Sequence, residues 1–552
     1  MQSPVPTGIA ALAALTISIT IAGCASTGGI APQARGIDPT SLDAGAAIRA
    51  ANADAQWPAA DWWRAYNDPQ LNGWISAALV DNPTLAVARA RVREAQSMAG
   101  VARAALSPQV NGNLSIERQQ WPNNVWYGPG PLASANTWDN TGAIGLSYHL
   151  DLWDRDKNAA ERALDAAHAS SADERVAQLE LEANVVRAYI DISMNYALLD
   201  IAKATLQQQQ QIVDLANQRL KGGLGTQLEV SQAQTPIPEY ERQIDALEEA
   251  IALSRNQLAA LAGKGAGAGD SITRPTLALS TSAGLPSALP ADLLGHRPDI
   301  VAARWTVASQ ARGIDVAKAN FYPDINLLAS IGGYAVAGPL FQFLRSESGA
   351  WTAGPALSLP IFDGGRLRSE LGASDAGYDA AVEQYNQTIV SALKDVADQV
   401  VHLRSLQTQE NDAERSVATA RKNYELSREG YKRGLTDYLN VLVAQNQLLR
   451  AQEGVARIQA QRLDAHASLM TALGGGLADP ADAPKTAETQ PAHGRGKATP
   501  GASASADKTS ADAHVSQSVI DTSADANAAT HVPEEARLQS KVQTAAHVKA
   551  PQ

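Results

Sequence analysis

Asn82-Pro83 through Ser107-Pro108-Gln109-Val110-Asn111 and Arg297-Pro298 through Tyr322-Pro323-Asp324-Ile325-Asn326 carry one pattern twice. Pro83, Pro108 and Asn111 map onto Pro298, Pro323 and Asn326 at an offset of 215. Further along, Leu146-Ser147 matches Leu357-Ser358, Arg155 matches Arg366, Gly223-Leu224 matches Gly434-Leu435 and Gln234 matches Gln445, now at an offset of 211. The first copy therefore carries four extra residues between Asn111 and Leu146. Each unit is about 200 residues long, far beyond the ~20–50 of solenoid repeats. The chain reads as one duplicated domain, over 57–263 and 285–474, with a Gly- and Pro-rich connector at 264–284.

Each copy repeats one order of elements. A helical stretch, 71–105 or 298–320, stops at Ser107-Pro108 or Tyr322-Pro323, because proline disfavours helix in the residue before it. Apolar residues then alternate with polar ones from Val110 to Ile116 and from Ala143 to Leu150, and again at 325–331 and 356–361. This period of two marks strands with one apolar face. A long helical pattern follows, in which Leu367, Leu371, Tyr378, Tyr385, Ile389, Val396, Val400 and Leu403 recur at 3.5–3.6-residue steps. Residues 155–220 and 366–432 contain no proline, so each can form a helix of about 99 Å at 1.5 Å per residue. A glycine turn, Lys221-Gly222-Gly223-Leu224-Gly225 or Arg433-Gly434-Leu435, reverses the chain into a second helical run ending near Gly263 or Gly474. Pro236 and Pro238 interrupt the first return run and have no counterpart in the second. The expected unit is a long antiparallel coiled-coil hairpin with a β-hairpin at one end: mainly α with β.

Composition suits this reading. Of 552 residues 45% are apolar and only 5% aromatic, and Ala, Leu and Val dominate the apolar set, as long helices in close contact require. The net charge of −12, without Lys/Arg blocks, argues against nucleic acid. A single cysteine excludes intrachain disulfides and a Cys-rich zinc site. No later segment has ~18 uninterrupted apolar residues, which excludes a helical membrane span but not a β-barrel. Residues 475–552 lack aromatics and are rich in Ala, Ser and Thr, so this tail is expected to be disordered.

The N-terminus addresses the chain. Gly8 to Ala22 is an apolar stretch of signal-peptide length, and Ile21-Ala22-Gly23-Cys24 resembles the lipobox of bacterial lipoproteins. The expectation is a signal peptide over 1–23, acylation of Cys24, and a linker over 24–56. Ala25 and Ser26 lack the Asp associated with inner-membrane retention, while the n-region lacks the usual Lys or Arg.

Four strands cannot close a barrel, and an open sheet edge is not tolerated in lipid. Three chains would supply twelve strands, an even number in the range of outer-membrane barrels. Trp121, Trp126, Trp138, Trp153 and Trp351 flank or cap the expected strands, where interfacial aromatics belong. A soluble β-subdomain with packed tryptophans fits the periodicity as well; the lipobox favours the membrane.

The ordered set of Trp62-Trp63, Asp68-Pro69-Gln70-Leu71, Asn82-Pro83, Leu289-Pro290-Ala291-Asp292-Leu293-Leu294, Arg297-Pro298-Asp299-Ile300, Leu359-Pro360-Ile361-Phe362-Asp363-Gly364-Gly365-Arg366 and Tyr438-Leu439 to Ala444-Gln445 resembles the TolC-like outer-membrane efflux channels, in particular their NodT-type lipoproteins. The resemblance implies a homotrimer whose twelve-stranded barrel in the outer membrane continues as a periplasmic helical tunnel. It also implies a passive exit duct, docked to a periplasmic adaptor and driven by an inner-membrane pump of the RND type. Gly223, Leu224 and Thr226, with Gly434, Leu435 and Thr436, match the tips that meet the adaptor; otherwise they are turn residues only. Glu229, and Asn440 and Val443 in the second repeat, match the positions around the closed aperture; Glu229 reads equally as a solvated helix charge.

Catalysis finds no support. The nine histidines include no i, i+4 pair, and no HExxH or phosphate loop occurs. No cofactor or metal is expected. A type I protein-secretion duct shares the architecture, and a periplasmic adaptor or structural coiled-coil lipoprotein is the alternative of another class, disfavoured by two hairpins with only four strands.

Overall fold

The computed structural model describes residues 27–43, 45–49, 57–123, 131–279, 296–336 and 339–476. Cys24, Trp126, the signal stretch and the tail beyond 476 lie outside the described residues.

The expected first helix over 71–105 is two helices, α1 (Pro69–Asp81) and α2 (Pro83–Ala104). Pro83 lacks the N–H that would continue α1, and the chain restarts with proline at the first helical position. Asp68 caps α1 by accepting from the N–H of Gln70, and Asn82 caps α2 by accepting from that of Leu85 at 3.0 Å. Strands β1 (Gln109–Gln120) and β2 (Asn136–His149) follow, then α3 (Arg155–Lys221). The return run is α4 (Gln227–Gln234) and α5 (Ile237–Leu261), broken at Thr235-Pro236. The second repeat gives α6 (Pro298–Ala319), β3 (Asp324–Ala335), β4 (Gly349–Ser358), α7 (Arg366–Lys432) and α8 (Tyr438–Ala472). Here the return helix is unbroken, having no internal proline.

The fourth strand corrects the expectation of 356–361. It ends at Ser358 and begins at Gly349, because its register is set by β3, with Gly333 opposite Gly349 and Asp324 opposite Ser358. Pro360, which cannot donate to a ladder, falls in the turn toward α7.

α3 and α7 have 67 residues each, about 100 Å of helix. The shorter helices stack end to end beside them. The Asn82 side-chain amide donates to Leu261 O at 2.8 Å, joining α5 to α2, and Arg297 donates to Ala472 O at 3.0 Å, joining α8 to α6. Side by side, α3 lies between α2/α5 and α6/α8, and α6/α8 lie between α3 and α7. Among the described residues the layer therefore has two edges with no further helix beside them, α2/α5 and, beyond the part lined by residues 27–43 and 45–49, α7.

Four apolar clusters hold the long helices among the described residues; the one nearest the sheet packs Ile314, Ala317 and Phe321 on Leu367 and Leu371. Trp62, Tyr66, Leu71 and Ile75 pack on Val185, Val186, Tyr189 and Leu258 in the middle of the first repeat. Ile300, Ile389, Val396 and Leu469 do the same in the second. At the turn end Ile212, Val230, Tyr424, Tyr431, Tyr438 and Val441 close both hairpins on each other. Each fully buried large side chain stabilises by about 1.5–3 kcal/mol. Residues 27–37 run as a strap along α7: Ile30 packs on Leu367 and Leu371, the N–H groups of Gln33 and Ala34 donate to Asp379, and Asn386 bonds both Ile37 N–H and Arg35 O.

Candidate functional site

The four strands form one antiparallel sheet in the order β1-β2-β3-β4. Its register sorts most side chains by chemistry, with Arg118, Asn136 and Asn140 among the exceptions on the apolar face and Leu328 and Tyr334 on the polar one. Val110 lies opposite Leu146, Ile144 opposite Ile331, and Ile331 opposite Trp351, so these side chains share one face with Leu114, Leu327 and Leu357. The other face carries Asn111, Asn113, Ser115, Thr141, Ser147, Asn326, Ser330 and Thr352. The apolar face is largely bare in the single chain, with Val110 and Ile331 67% exposed and Trp351 75% exposed; its part around Asn140, Gly142 and Gly333 is covered by the β3–β4 connection around Phe343. An apolar face this uncovered is unfavourable in water and at home against lipid, with the polar face turned to an aqueous lumen. β1 and β4 each have one unpaired edge among the described residues, which lipid does not tolerate.

The tryptophans fall at both ends of the sheet. Trp121 and Trp138 are at the end remote from the helices; Trp121 donates its indole N–H to Thr137 Oγ1 at 2.8 Å, and Arg118 lies over the Trp138 ring. Trp153 is at the helical end, stacked on Tyr322 with centroids 4.7 Å apart and donating to Pro323 O. Trp351 lies within β4, on the apolar face.

Where sheet meets helices, the structure gathers charges that the sequence leaves scattered. His149 contacts Asp156 through Nδ1 and Asp324 Oδ1 through Nε2 at 2.6 Å, and Arg155 bonds both Asp156 and Asp324. His149, Asp151 and Asp156 bring donor atoms within 4.8 Å of one another, but the Arg155 guanidinium already supplies the positive charge. The arrangement ties β2 and α3 of one repeat to β3 of the other.

At the opposite end the two helical turns have the same form. After α3 the N–H of Gly223 bonds Leu220 O and that of Leu224 bonds Arg219 O; after α7, Gly434 bonds Tyr431 O and Leu435 bonds Gly430 O. Gly223 and Gly434 have φ of 71° and 73°, a left-handed conformation that only glycine adopts without strain. The return helices are then capped by Thr226, accepting from Glu229 N–H, and by Asp437, accepting from Asn440 N–H. The structural counterpart of Thr226 is thus Asp437, not Thr436. Leu224 and Leu435 are 72% and 78% exposed. One helical turn on, Leu228 and Leu439 are also exposed, doubling the apolar surface of each tip.

The three residues expected around the aperture sit differently from one another. Glu229 is half-buried and accepts a 3.0 Å hydrogen bond from the Tyr431 hydroxyl. Asn440 is exposed and committed to its own cap, donating to Thr436 Oγ1 and Asp437 Oδ1. Val443 is exposed on α8. Beside them Arg219 donates to Tyr431 O at 2.8 Å and to Leu224 O at 2.9 Å, with its guanidinium 4.7 Å from the centre of the Tyr431 ring. Arg219, Glu229 and Tyr431 latch the first tip to the second. Burial, and then the Glu229 carboxylate, push the Tyr431 phenol up to about 12, so it remains a donor across the physiological range. The sequence gives no repeat signal for this latch: the 211 offset pairs Arg219 with Gly430, Leu220 with Tyr431 and Glu229 with Asn440.

Comparison with known proteins agrees with this architecture. The family described as "Outer membrane efflux protein" matches residues 74–264 and 289–475. The chain is 66% identical over 377 residues to the fusaric acid resistance protein FusA of Burkholderia cepacia, covering 68% of this chain and 71% of that protein. It is 31% identical over 436 residues to the multidrug resistance outer membrane protein MdtP of Escherichia coli K12, covering 77% and 88%. The solved outer membrane protein VceC of Vibrio cholerae superposes with a TM-score of 0.71 at 34% identity, over 76% of this chain and 100% of that one. With a sheet apolar on one face and polar on the other, set on two long helical hairpins, the chain belongs to the outer membrane efflux protein family.

Proposed function

We propose that the chain works as the passive, non-enzymatic exit duct of a tripartite efflux system in the outer membrane. The observation that carries this is the sheet: its two faces suit lipid and water, and its two unpaired edges require neighbours. Three copies, each pairing β4 with the next copy's β1, give a twelve-stranded barrel without an open edge. The helical layers continue the wall into the periplasm for about 100 Å. FusA and MdtP, whose names speak of fusaric acid and multidrug resistance, support small organic toxicants as cargo.

The exposed pairs Leu224/Leu228 and Leu435/Leu439 are the surface offered to the periplasmic adaptor, through which an RND-type pump in the inner membrane drives transport. Glu229, Asn440 and Val443 line the aperture; Val443→Asp raises cation block, and unchanged conductance in Mg²⁺ would remove that assignment. Cys24 carries the lipid anchor. The strap supports this reading: Gly28 lies beside Arg368 in the first turn of α7, just below the sheet, within reach of the inner leaflet. Cys24→Ser abolishes metabolic labelling by palmitate.

Purified protein in a planar bilayer tests the duct directly, with a native gel for its oligomeric state. Trimers with stable conductance are expected; a monomer silent in bilayers refutes the proposal. Deleting the gene lowers the tolerated concentration of fusaric acid, whereas loss of a secreted protein with unchanged tolerance would indicate a protein-secretion duct.

A further inference from the structure

The two free edges of the helical layer differ in charge. On α5 the packed face carries Tyr240, Ile251 and Leu258, and the opposite face carries Asp245 and Glu249 with Glu241 on its flank. Ile237–Leu261 as a whole holds five carboxylates against two arginines. Glu241, Asp245 and Glu249 are exposed, and none has an ion pair or hydrogen-bond partner among the described residues. On α7 the packed face carries Leu406, Glu410, Tyr424 and Tyr431, which leaves Arg404, Arg415 and Lys422 in line on the opposite side, all exposed. Lys422 has no acidic partner among the described residues, and Arg415 has only Asp412, itself exposed.

The two stripes stand at the same height. Asn423 bonds Gln447 at 3.2 Å and Arg462 bonds Glu410 at 3.2 Å, which fixes the register of α8 against α7. Gln243 of α5 bonds Glu453 of α8 at 2.9 Å. Glu453 lies between Gln447 and Arg462, so Gln243 is level with the α7 turn around Ala418. Asp245 is then level with Arg415. Glu241, nearer the tip, approaches the level of Lys422, and Glu249 lies less than a turn beyond Arg415. Rotation about a threefold axis preserves height, so these levels hold from one copy to the next.

Sheet and helices present their edges on the same sides. β1 follows α2 on the α2/α5 edge, and β4 leads into α7 on the other. We propose that the periplasmic seam between neighbouring copies is an electrostatic one. The Glu241/Asp245/Glu249 stripe of one copy docks on the Arg415/Lys422 stripe of the next, and the partner it fits is a second copy of this chain. This rests on the trimer reading above. The seam also sets the direction of assembly, because acid facing acid or base facing base in the opposite order repels. It accounts for part of the acidic excess: the carboxylates of α5 are one half of a contact completed only in the ring.

The test uses full-length protein in detergent and a pair of cysteines, Asp245→Cys with Arg415→Cys. A short thiol-to-thiol crosslinker is needed, since an Arg–Asp pair holds its Cα atoms farther apart than the ~7 Å limit of a disulfide. Covalent dimers and trimers are expected on a denaturing gel from the double variant and from neither single variant. In parallel, Asp245→Arg with Glu249→Arg lowers the trimer fraction on the order of tenfold at low salt, and adding Arg415→Glu with Lys422→Glu restores it. Salt weakens both effects by screening. A native trimer that gives no crosslink and ignores the charge reversal overturns the seam alone. A wild-type monomer without channels overturns the trimer reading and the seam with it.

Discussion

Tyr431→Phe isolates the tip latch. The substitution keeps the ring, which is 1% exposed, and keeps the face over which Arg219 lies. It removes only the hydroxyl that donates to Glu229 at 3.0 Å. A hydrogen bond to a charged group contributes about 1.5–3 kcal/mol. Glu229 is half-buried, so water recovers part of this, leaving a loss of about 1–2 kcal/mol per copy. That multiplies the population of the unlatched tip roughly 5–30-fold. If the aperture widens only when all three copies release independently, the gain is on the order of 10²–10⁴. Single-channel recording in planar bilayers reads it as longer and more frequent high-conductance openings. Glu229→Gln, whose amide oxygen still accepts from Tyr431, moves conductance less. Arg219→Lys moves it more than Glu229→Gln, because an ammonium cannot reproduce the fork that spans Tyr431 O and Leu224 O. A Tyr431→Phe trimer of unchanged thermal stability with wild-type opening would refute the latch as a constraint on the aperture.

Other substitutions test the fold that positions these sites. Leu114→Arg, on the apolar face, costs about 2–4 kcal/mol if that face meets lipid and depletes membrane-assembled trimer on gels, whereas Asn113→Arg, on the polar face, assembles normally; equal effects would contradict the facing. Gly434→Ala places a side chain at φ 73° and costs about 1–2 kcal/mol, seen as a lower melting temperature without loss of trimer. Burial pushes the Glu182 carboxyl up to about 7 from 4.5. Below 4.5 both states are protonated, and stability falls as pH rises from there through 7 because the unfolded chain ionises first. Glu182→Gln therefore stabilises by up to about 3 kcal/mol at pH 8 and not at pH 4, measured by thermal melts at the two pH values. His466 has the opposite sign. Burial lowers it to about 4 from 6.5, so its contribution is present above 6.5 and lost as pH falls toward 4; His466→Gln flattens the acid limb of the stability profile.

Much of the architecture is legible in the sequence because it rests on local periodicity. Proline-free runs mark α3 and α7 to within a residue or two, and Pro236 and Pro238 mark the break between α4 and α5. Alternation finds all four strands. It misplaces the ends of β4, since Ala356 to Ile361 alternates beyond Pro360 while the true ends are set by pairing with β3, and it misses the first seven residues of β2, Asn136 to Gly142, which are held by pairing with β1. Pro83 splits α1 from α2 because a helix can restart there under the Asn82 cap. The tips are legible in part. Gly223 and Gly434 follow from the duplication, and its offset of 211 also sets Thr226 against Asp437; that both act as caps is shown by the hydrogen bonds they accept from Glu229 and Asn440 N–H.

The sequence by itself determined the duplication, the elements and their order, and the alternation of apolar and polar side chains along each strand. These depend on residues within a few turns or pleats of each other. Only the tertiary structure decided what meets across the repeats. Arg219, Glu229 and Tyr431 come together from three helices, His149 meets Asp324 across β2 and β3, and the stripes on α5 and α7 acquire a common height. Such contacts join residues far apart in the chain at positions where the two repeats differ. No local pattern or repeat symmetry encodes them; the packing of the helices and the sheet register do.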